Sequence, residues 1–250
     1  MAKHNKWSKI KHRKAVVDKR RGKVWTKIAK ALMVAAKHGG PDPDSNLALR
    51  YAIDEARYAN MPRDTVERAI QKGAGGASTE NYETIRYEGY APGGVAVIVD
   101  ALTDNRTRTI TDVRNAFHDA GGNVGSSGCV AYMFQPRGEI LLDAGSLSED
   151  RVIELAIEAG ALDAQPPDDA DHPAWTVLTA APDFAAVKDA LERAGLTVTE
   201  ANLTMIPDTM VTVRGEHARS VMDLVEQLED LDDVQKVYTN ADIPDDELAD

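Results

Sequence analysis

Residues 136–165, PRGEILLDAGSLSEDRVIELAIEAGALDAQ, and residues 174–206, AWTVLTAAPDFAAVKDALERAGLTVTEANLTMI, decide how this chain is put together. Each stretch reads as strand, helix, strand. GEILLD opens the first, a helix over 147–160 follows, and a strand lies near 162–165. AWTVLTA opens the second, with a helix over 183–194 and the strand LTVTEANLTMI. The two helices end in similar phrases, EAGALDA and RAGLTVT, and Ser146 and Glu149 stand at capping-box spacing before the first. A β-α-β-β-α-β order is the ferredoxin-like split pattern, so 136–206 is expected to form one such domain.

Outward from this unit the cadence changes. On its N-terminal side, YETIRYEGY and GVAVIVDALT read as a strand pair joined through Ala91-Pro92-Gly93. RTRTITDVRNAFHDAGG follows as a helix with Ile110, Val113 and Phe117 inward and Thr103 or Asp104 as its cap, and CVAYMF as a further strand. On its C-terminal side, TMVTV, a helix carrying Val221, Leu224, Val225 and Leu228, and the strand VQKVYT supply one more β-α-β. These last elements are too few to close a sheet alone. The economical solution pairs 207–240 with 79–135, making 136–206 an insertion in a discontinuous α/β domain. The last ten residues, ADIPDDELAD, read as an acidic tail with little to bury.

The first third is helical. In KVWTKIAKALMVAAKHGG, Val24, Ile28, Leu32 and Ala35 recur at helical spacing until Gly39-Gly40 stops them and PDPD makes a turn. A second helix follows Ser45 or Asn46 as cap, with Leu49, Ile53 and Ala56 as its buried stripe. A third starts at Pro62, carries Val66, Ala69 and Ile70 on one face, and is expected to end before Gly73. GAGGAS at 73–78 reads as a flexible linker. The fold class is therefore α+β in three domains: helical over 1–78, discontinuous α/β over 79–135 plus 207–240, and the ferredoxin-like insertion over 136–206, with 241–250 as the tail.

Charge is distributed unevenly over these parts. The chain carries a net −12, yet residues 1–75 hold 18 basic and 7 acidic side chains, leaving 11 and 34 for residues 76–250. Between Lys3 and Lys30 the only acid is Asp18. Such asymmetry points to a basic module for nucleic acid or another anionic surface, joined to acidic domains outside the contact. Intramolecular neutralisation of head by body is the plainer reading, and the two are compatible. A transit peptide would favour Arg and Ser, whereas this head is mostly Lys with the single Ser8. One cysteine, Cys129, leaves no internal disulfide and suggests a reducing compartment. No apolar run approaches the ~18 residues of a membrane span.

Within the head, Lys and Arg alternate with His and Trp: His4, Lys6, Trp7, Lys9, Lys11, His12, Arg13, Lys14, then Lys19, Arg20, Arg21 and Lys23. Lysine and arginine neutralise phosphates and release counterions, which gives strong, salt-dependent affinity with little sequence information. Trp7 is placed to stack on an unpaired base, whereas Trp25 sits in the apolar stripe of its helix. Arg63, Arg68 and Lys72 on the third helix are weaker candidates. In TDNRTRT (103–109), Arg106 and Arg108 stand at a strand-to-helix junction, where they suit phosphate contacts or an ordinary surface loop equally.

GGNVGSSG (121–128) lacks the Lys-Ser/Thr of a phosphate-binding loop and leads into a strand, so it reads as a tight turn. His4 and His12 have no ligand partners at metal spacing, and Cys129, on a strand, reads as a small hydrophobe. No spacing supports paired-carboxylate or Ser-His-Asp chemistry. No enzyme, cofactor, metal or small-molecule substrate is expected.

HNKWSKIKHRKA, GGPDPDSN, ANMPRDTVERAIQKGAG, the TDNRTRT loop and GGNVGSSGCVAYMF, in this order, resemble the YebC family. That family includes bacterial proteins labelled probable transcriptional regulators and mitochondrial translational activators of cytochrome c oxidase subunit one. The resemblance runs over essentially the whole chain and implies the same three-domain arrangement, with the basic head part of the mature protein. Lys3, Asn5 and Cys129 depart from the family's usual Gly, Ser and Ser. What the resemblance implies for function is a cytoplasmic, non-enzymatic regulator of gene expression acting on promoter DNA or on translating ribosomes. A connection of the first two helices longer than a helix-turn-helix uses, and an arm of Lys, His and Trp suited to irregular or single-stranded RNA, tilt the expectation toward RNA or the ribosome. A module binding an acidic protein partner is the remaining alternative.

Overall fold

A computed structural model describes residues 18–75, 81–143, 145, 147–167 and 174–247, with the backbone alone described at 18–21 and 245. Two compact units emerge. One contains the described residues up to Ala52, Met61–Gln135, and the chain from Ile206 onward; the other contains Ile53–Asn60 and Pro136–Met205.

The described chain begins with three helices, α1 (Asp18–Gly39), α2 (Leu47–Tyr58) and α3 (Arg63–Ala74), of which α2 passes from the first unit into the second at Ile53. Ile28, Leu32 and Ala36 form the buried line of α1, each one turn from the next. Val24, expected to continue that line, is 45% exposed. Asn46 caps α2: its Oδ1 accepts from Leu49 N at 3.1 Å, and its Nδ2 donates to the carbonyls of Ala35 and Gly40 at 2.8 Å, closing the turn after α1.

Gly73 lies inside α3 and not beyond its end, as the spacing suggested. It is buried where α3 meets α1, and a Cβ there would overlap the Met33 carbonyl. Pro62 is correspondingly the residue before the helix, at φ −59° and ψ 137°. Only Gly76–Ser78 of the expected linker remain outside α3 and its cap, and they lie outside the described residues.

The sheet of the first unit has the order β3-β1-β2-β9, with β1 Glu83–Ala91, β2 Val95–Thr103, β3 Asn123–Val124 and β9 Val234–Thr239. β1 and β2 form a continuous antiparallel pair, and β9 joins β2 antiparallel across some 130 residues. Helices α4 (Arg106–Asp119) and α7 (Gly215–Asp230) cover one face. Val97, Val99, Val113, Phe117, Val221, Leu224 and Leu228 make the core between them.

Asn105, and not Thr103 or Asp104, caps α4, accepting from Arg108 N at 3.1 Å. CVAYMF is not a strand: Ala131–Met133 is a 3₁₀ turn, and Cys129 precedes it in a loop. The cause is Glu88 on β1. Its buried carboxylate accepts from the backbone N–H groups of Gly128 (2.7 Å), Val130 (2.9 Å) and Ala131 (2.7 Å), curling the segment around itself.

TMVTV contributes only the two-residue β8 (Val211–Thr212), which pairs in parallel with β10 (Ala241–Asp242) apart from the main sheet. The expected loose tail is packed as far as Glu247. Ala241 and Ile243 are buried, Asp246 pairs with Arg214 at 3.0 Å, and the Glu247 carboxylate accepts from Gly215 N at 3.0 Å. That last contact places an anion at the N-terminus of α7, where the helix dipole favours one.

In the second unit, β4 (Phe134–Asp143), α5 (Glu149–Ala159), β5 (Asp163–Gln165), β6 (Trp175–Ala180), α6 (Phe184–Arg193) and β7 (Thr197–Pro207) follow the expected β-α-β-β-α-β order. Their sheet order, β5-β6-β4-β7, is that of a ferredoxin-like fold. Ile140, Leu142 and Val177 on its strands and Val152, Leu155, Phe184, Val187 and Leu191 on its helices are all buried. Ser148 stands at the N-cap of α5, while Ser146 lies outside the described residues. Lys188 on α6 is buried and ion-paired with Asp54 at 3.1 Å and Glu192 at 3.3 Å. Burial pulls its ammonium down, and the hydrogen bond and charge of Asp54 outweigh it, leaving the group raised and charged.

Candidate nucleic-acid interface

The basic region enters the described structure as the first turns of α1. His4, Lys6, Trp7, Lys9, Lys11, His12, Arg13 and Lys14 lie outside the described residues, and Lys19, Arg20 and Arg21 are described in backbone only, within the helix. From Lys23 onward the geometry is explicit. Lys23, Lys27 and Lys30 stand at i, i+4 and i+7, so they line one face of α1, opposite Ile28, Leu32 and Ala36.

That lysine face meets the C-terminal end of α7. Lys27 Nζ donates to Glu229 O at 2.5 Å, Lys23 Nζ to Asp230 O at 3.3 Å, and Lys30 Nζ to Asp232 O at 3.0 Å. The last carbonyls of a helix lack intrahelical partners and carry the negative end of its dipole, so the Lys23 and Lys27 ammonium groups are complementary to it, while the Asp232 carbonyl that takes Lys30 lies just past the helix end.

The two ends of this contact differ in strength. Lys23 pairs with the Asp230 carboxylate at 3.1 Å with side chains 44% and 59% exposed, a pair of the kind that contributes about 0–1 kcal/mol. Lys30 pairs with Asp233 at 3.1 Å with side chains only 15% and 9% exposed, and its ammonium lies 5.8 Å from the Tyr82 ring centre. Removing one partner from a buried pair costs about 3–5 kcal/mol.

Asp233 is the hub of a larger network. Its Oδ2 accepts from Arg108 Nη2 at 2.6 Å, Arg108 Nε at 3.2 Å, Thr109 Oγ1 at 2.9 Å and Thr103 Oγ1 at 3.2 Å. Its backbone carbonyl accepts from Leu102 N at 2.7 Å. Burial pushes the Asp233 carboxyl up; the hydrogen bonds from Arg108, Lys30 and Thr109 outweigh burial and hold it below the ordinary range.

The two arginines of the TDNRTRT loop therefore part company. Arg108, itself half exposed, reaches the buried Asp233 and pairs with Asp104 at 2.8 Å, while Arg106 sits on the surface beside Glu83 at 3.3 Å. On α3, Arg63 is exposed and pairs with Glu67 at 2.8 Å. Arg68 donates to Asp64 O at 3.0 Å, and Lys72 is exposed.

Lys27 and Lys30 belong to the same helical line as Lys23 and were legible from spacing. Asp233, in a short acidic run after α7, was not. Among the described residues, no group of three His, Cys, Asp or Glu side chains is arranged to hold a metal, and no helix is long and apolar enough to cross a membrane.

Known proteins match this arrangement over its full length. The family model for the TACO1/YebC protein N-terminal domain matches residues 5–76, and that for the TACO1/YebC second and third domain matches residues 82–241. A protein of Methylococcus capsulatus named "Probable transcriptional regulatory protein" is 53% identical over 249 residues, covering 100% of this chain and 99% of that protein. One of the same name from Hahella chejuensis is 52% identical over 248 residues, covering 99% and 98%. The crystal structure of a conserved hypothetical protein from Aquifex aeolicus superposes with a TM-score of 0.82 at 45% identity, over 93% of this chain and 94% of that one. With two domain models matched in series and relatives half identical from end to end, the chain belongs to the TACO1/YebC family.

Proposed function

We propose that this protein is a non-enzymatic, cytoplasmic regulator of gene expression that docks on nucleic acid through its basic N-terminal region, with RNA or the ribosome preferred over promoter duplex. The observation that carries this reading is the segregation of charge: 18 basic against 7 acidic side chains in residues 1–75, and 11 against 34 in the rest. A polyanion is attracted to the first region and repelled by the second, so the charge pattern orients the contact as well as strengthening it. The names of the half-identical relatives support a regulatory role.

Lys9, Lys11, Arg13, Lys14, Lys19, Arg20, Arg21 and Lys23 supply phosphate contacts, with His4, Lys6 and Trp7 as the adaptable tip. Arg63, Arg68 and Lys72 on α3, with Arg106, form a secondary set, and Arg108, half exposed but engaged by Asp233 and Asp104, is its least available member. The preference for RNA is supported by the seven-residue connection, 40–46, between α1 and α2, and by the engagement of the α1 lysine face with α7. Neither feature suits a helix laid into a major groove, whereas a basic arm with an aromatic residue suits irregular RNA.

Sedimentation of a lysate through a density gradient tests this reading. The protein is expected to travel with ribosomes at low salt and to leave them at high salt or after nuclease. Tight, sequence-selective binding to one duplex, with no ribosome association, would establish the promoter reading instead. That second reading is favoured by the relatives' names.

A further inference from the structure

The α1–α7 contact has the chemistry of the ligand proposed above: lysine ammonium groups meeting anionic oxygens. We propose that Asp230, at the C-terminal end of α7, is an internal competitor for Lys23, holding it off the docking surface until a polyanion displaces it. The inference rests on the nucleic-acid reading for its ligand.

Geometry separates an exchangeable from a fixed part of the contact. Lys23 and Asp230 are both about half exposed, so a phosphate can reach the ammonium at the position where the carboxylate sits. Lys30, bonded to Asp232 O and Asp233 with Tyr82 beside it, is only 15% exposed and is far less open to a phosphate. Lys27 is directed to Glu229 O between them. One helix thus remains anchored by Lys30 while its first turns change partners. Lys23 continues the run of Lys19, Arg20 and Arg21 in the same helix, so its release adds a cation to the end of the basic region nearest the fold.

The test is a double-mutant cycle on the full chain, with a fluorescent oligouridylate as probe. Asp230→Asn is expected to tighten binding about two- to fivefold at low salt, the range of an exposed ion pair. Placed in a Lys23→Gln background, the same change is expected to have no effect. Asp223→Asn, an exposed acid elsewhere on α7, is the control for net charge. A gain with Asp230→Asn that persists without Lys23, or that Asp223→Asn reproduces, overturns the proposal, as does no gain at all.

Acetylation of Lys23 by acetic anhydride, followed by mass spectrometry without any nucleic acid, reads the internal contact alone. Higher reactivity in Asp230→Asn than in the native protein supports it, and equal reactivity overturns it. Failure of the native protein to bind oligouridylate while that difference persists overturns the release to RNA and the RNA reading, leaving the contact itself in place.

Discussion

Arg108 and Asp233, 125 positions apart, meet through two hydrogen bonds, Nη2 at 2.6 Å and Nε at 3.2 Å, both on the same carboxylate oxygen. The other oxygen takes Lys30 of α1 at 3.1 Å. One buried acid therefore joins the start of α4, the loop before β9 and the middle of α1. Asp233→Asn leaves two cations facing a neutral amide. A loss of about 3–5 kcal/mol is expected in urea unfolding, seen as a lower midpoint at unchanged slope.

Acid should act through the same group and through Glu88. Burial raises the Glu88 carboxyl, and the N–H donors of Gly128, Val130 and Ala131 outweigh it, so Glu88, like Asp233, titrates below its ordinary value. A carboxyl lowered in the folded state contributes stability that is complete above the unfolded pKa, about 3.9 for Asp and 4.3 for Glu, and that is lost as pH falls through the folded value. Thermal unfolding followed by circular dichroism is expected to be level near neutrality and to drop below pH ~4. Asp233→Asn should show a shallower drop.

Glu88→Gln is expected to loosen the turn around Cys129. The amide keeps one acceptor oxygen for three N–H groups and turns its NH₂ toward others, at about 1–3 kcal/mol for each donor left unpaired. The Cys129 thiol is pushed up by burial first and by the Glu88 charge second, so both loosening and neutralisation favour the thiolate. Faster reaction of Cys129 with a disulfide reagent at neutral pH, compared with the native protein, is the expected reading.

Gly73→Ala adds one methyl group where α3 touches the Met33 carbonyl of α1. Backbone cannot yield as a side-chain tip does, so a cost of about 1–3 kcal/mol is expected, despite alanine being the better helix former. Differential scanning calorimetry of the full chain should show the lower transition. Gly75→Ala, at the C-cap, is the milder comparison, since its nearest neighbour would be the Gln71 carbonyl at 3.0 Å.

Neutralising Lys11, Arg13 and Lys14 together should weaken oligouridylate binding and flatten its salt dependence. Each lost phosphate contact removes about 0.7 from the log–log slope for single strands, so a change of about 2 is expected from three. An unchanged slope would place the contact elsewhere on the protein.

Apolar periodicity carried most of the fold. Ile28, Leu32, Leu49, Val113, Phe117 and the stripe of α7 are buried as their spacing required, and the order of elements in 136–206 was enough to name its topology. What spacing missed were places where a distant group overrides local preference. CVAYMF has the residues of a strand, but Glu88, some forty positions earlier, draws its N–H groups into a turn. Gly73 has the look of a helix stop because nothing local reveals the α1 backbone lying against it. The tail is rich in acid, yet Ile243 is buried and Glu247 caps a helix that begins 32 residues earlier. In the candidate interface, charge composition identified the region, whereas the division of labour between Arg106 and Arg108 depended on the long-range position of Asp233.

The point at which the chain leaves for its ferredoxin-like insertion is tied to the point at which it returns. Asp208 N donates to Met133 O at 2.9 Å, and Gln135 Nε2 to the Asp208 carboxylate at 3.2 Å. Departure and return thus sit side by side, as the two ends of a hairpin do, although some seventy residues intervene. To the sheet of β1, β2 and β9 the insertion is an elaborated turn. The register of β1, β2 and β9 is closed by pairs within the host domain, whatever length of chain runs between Gln135 and Asp208.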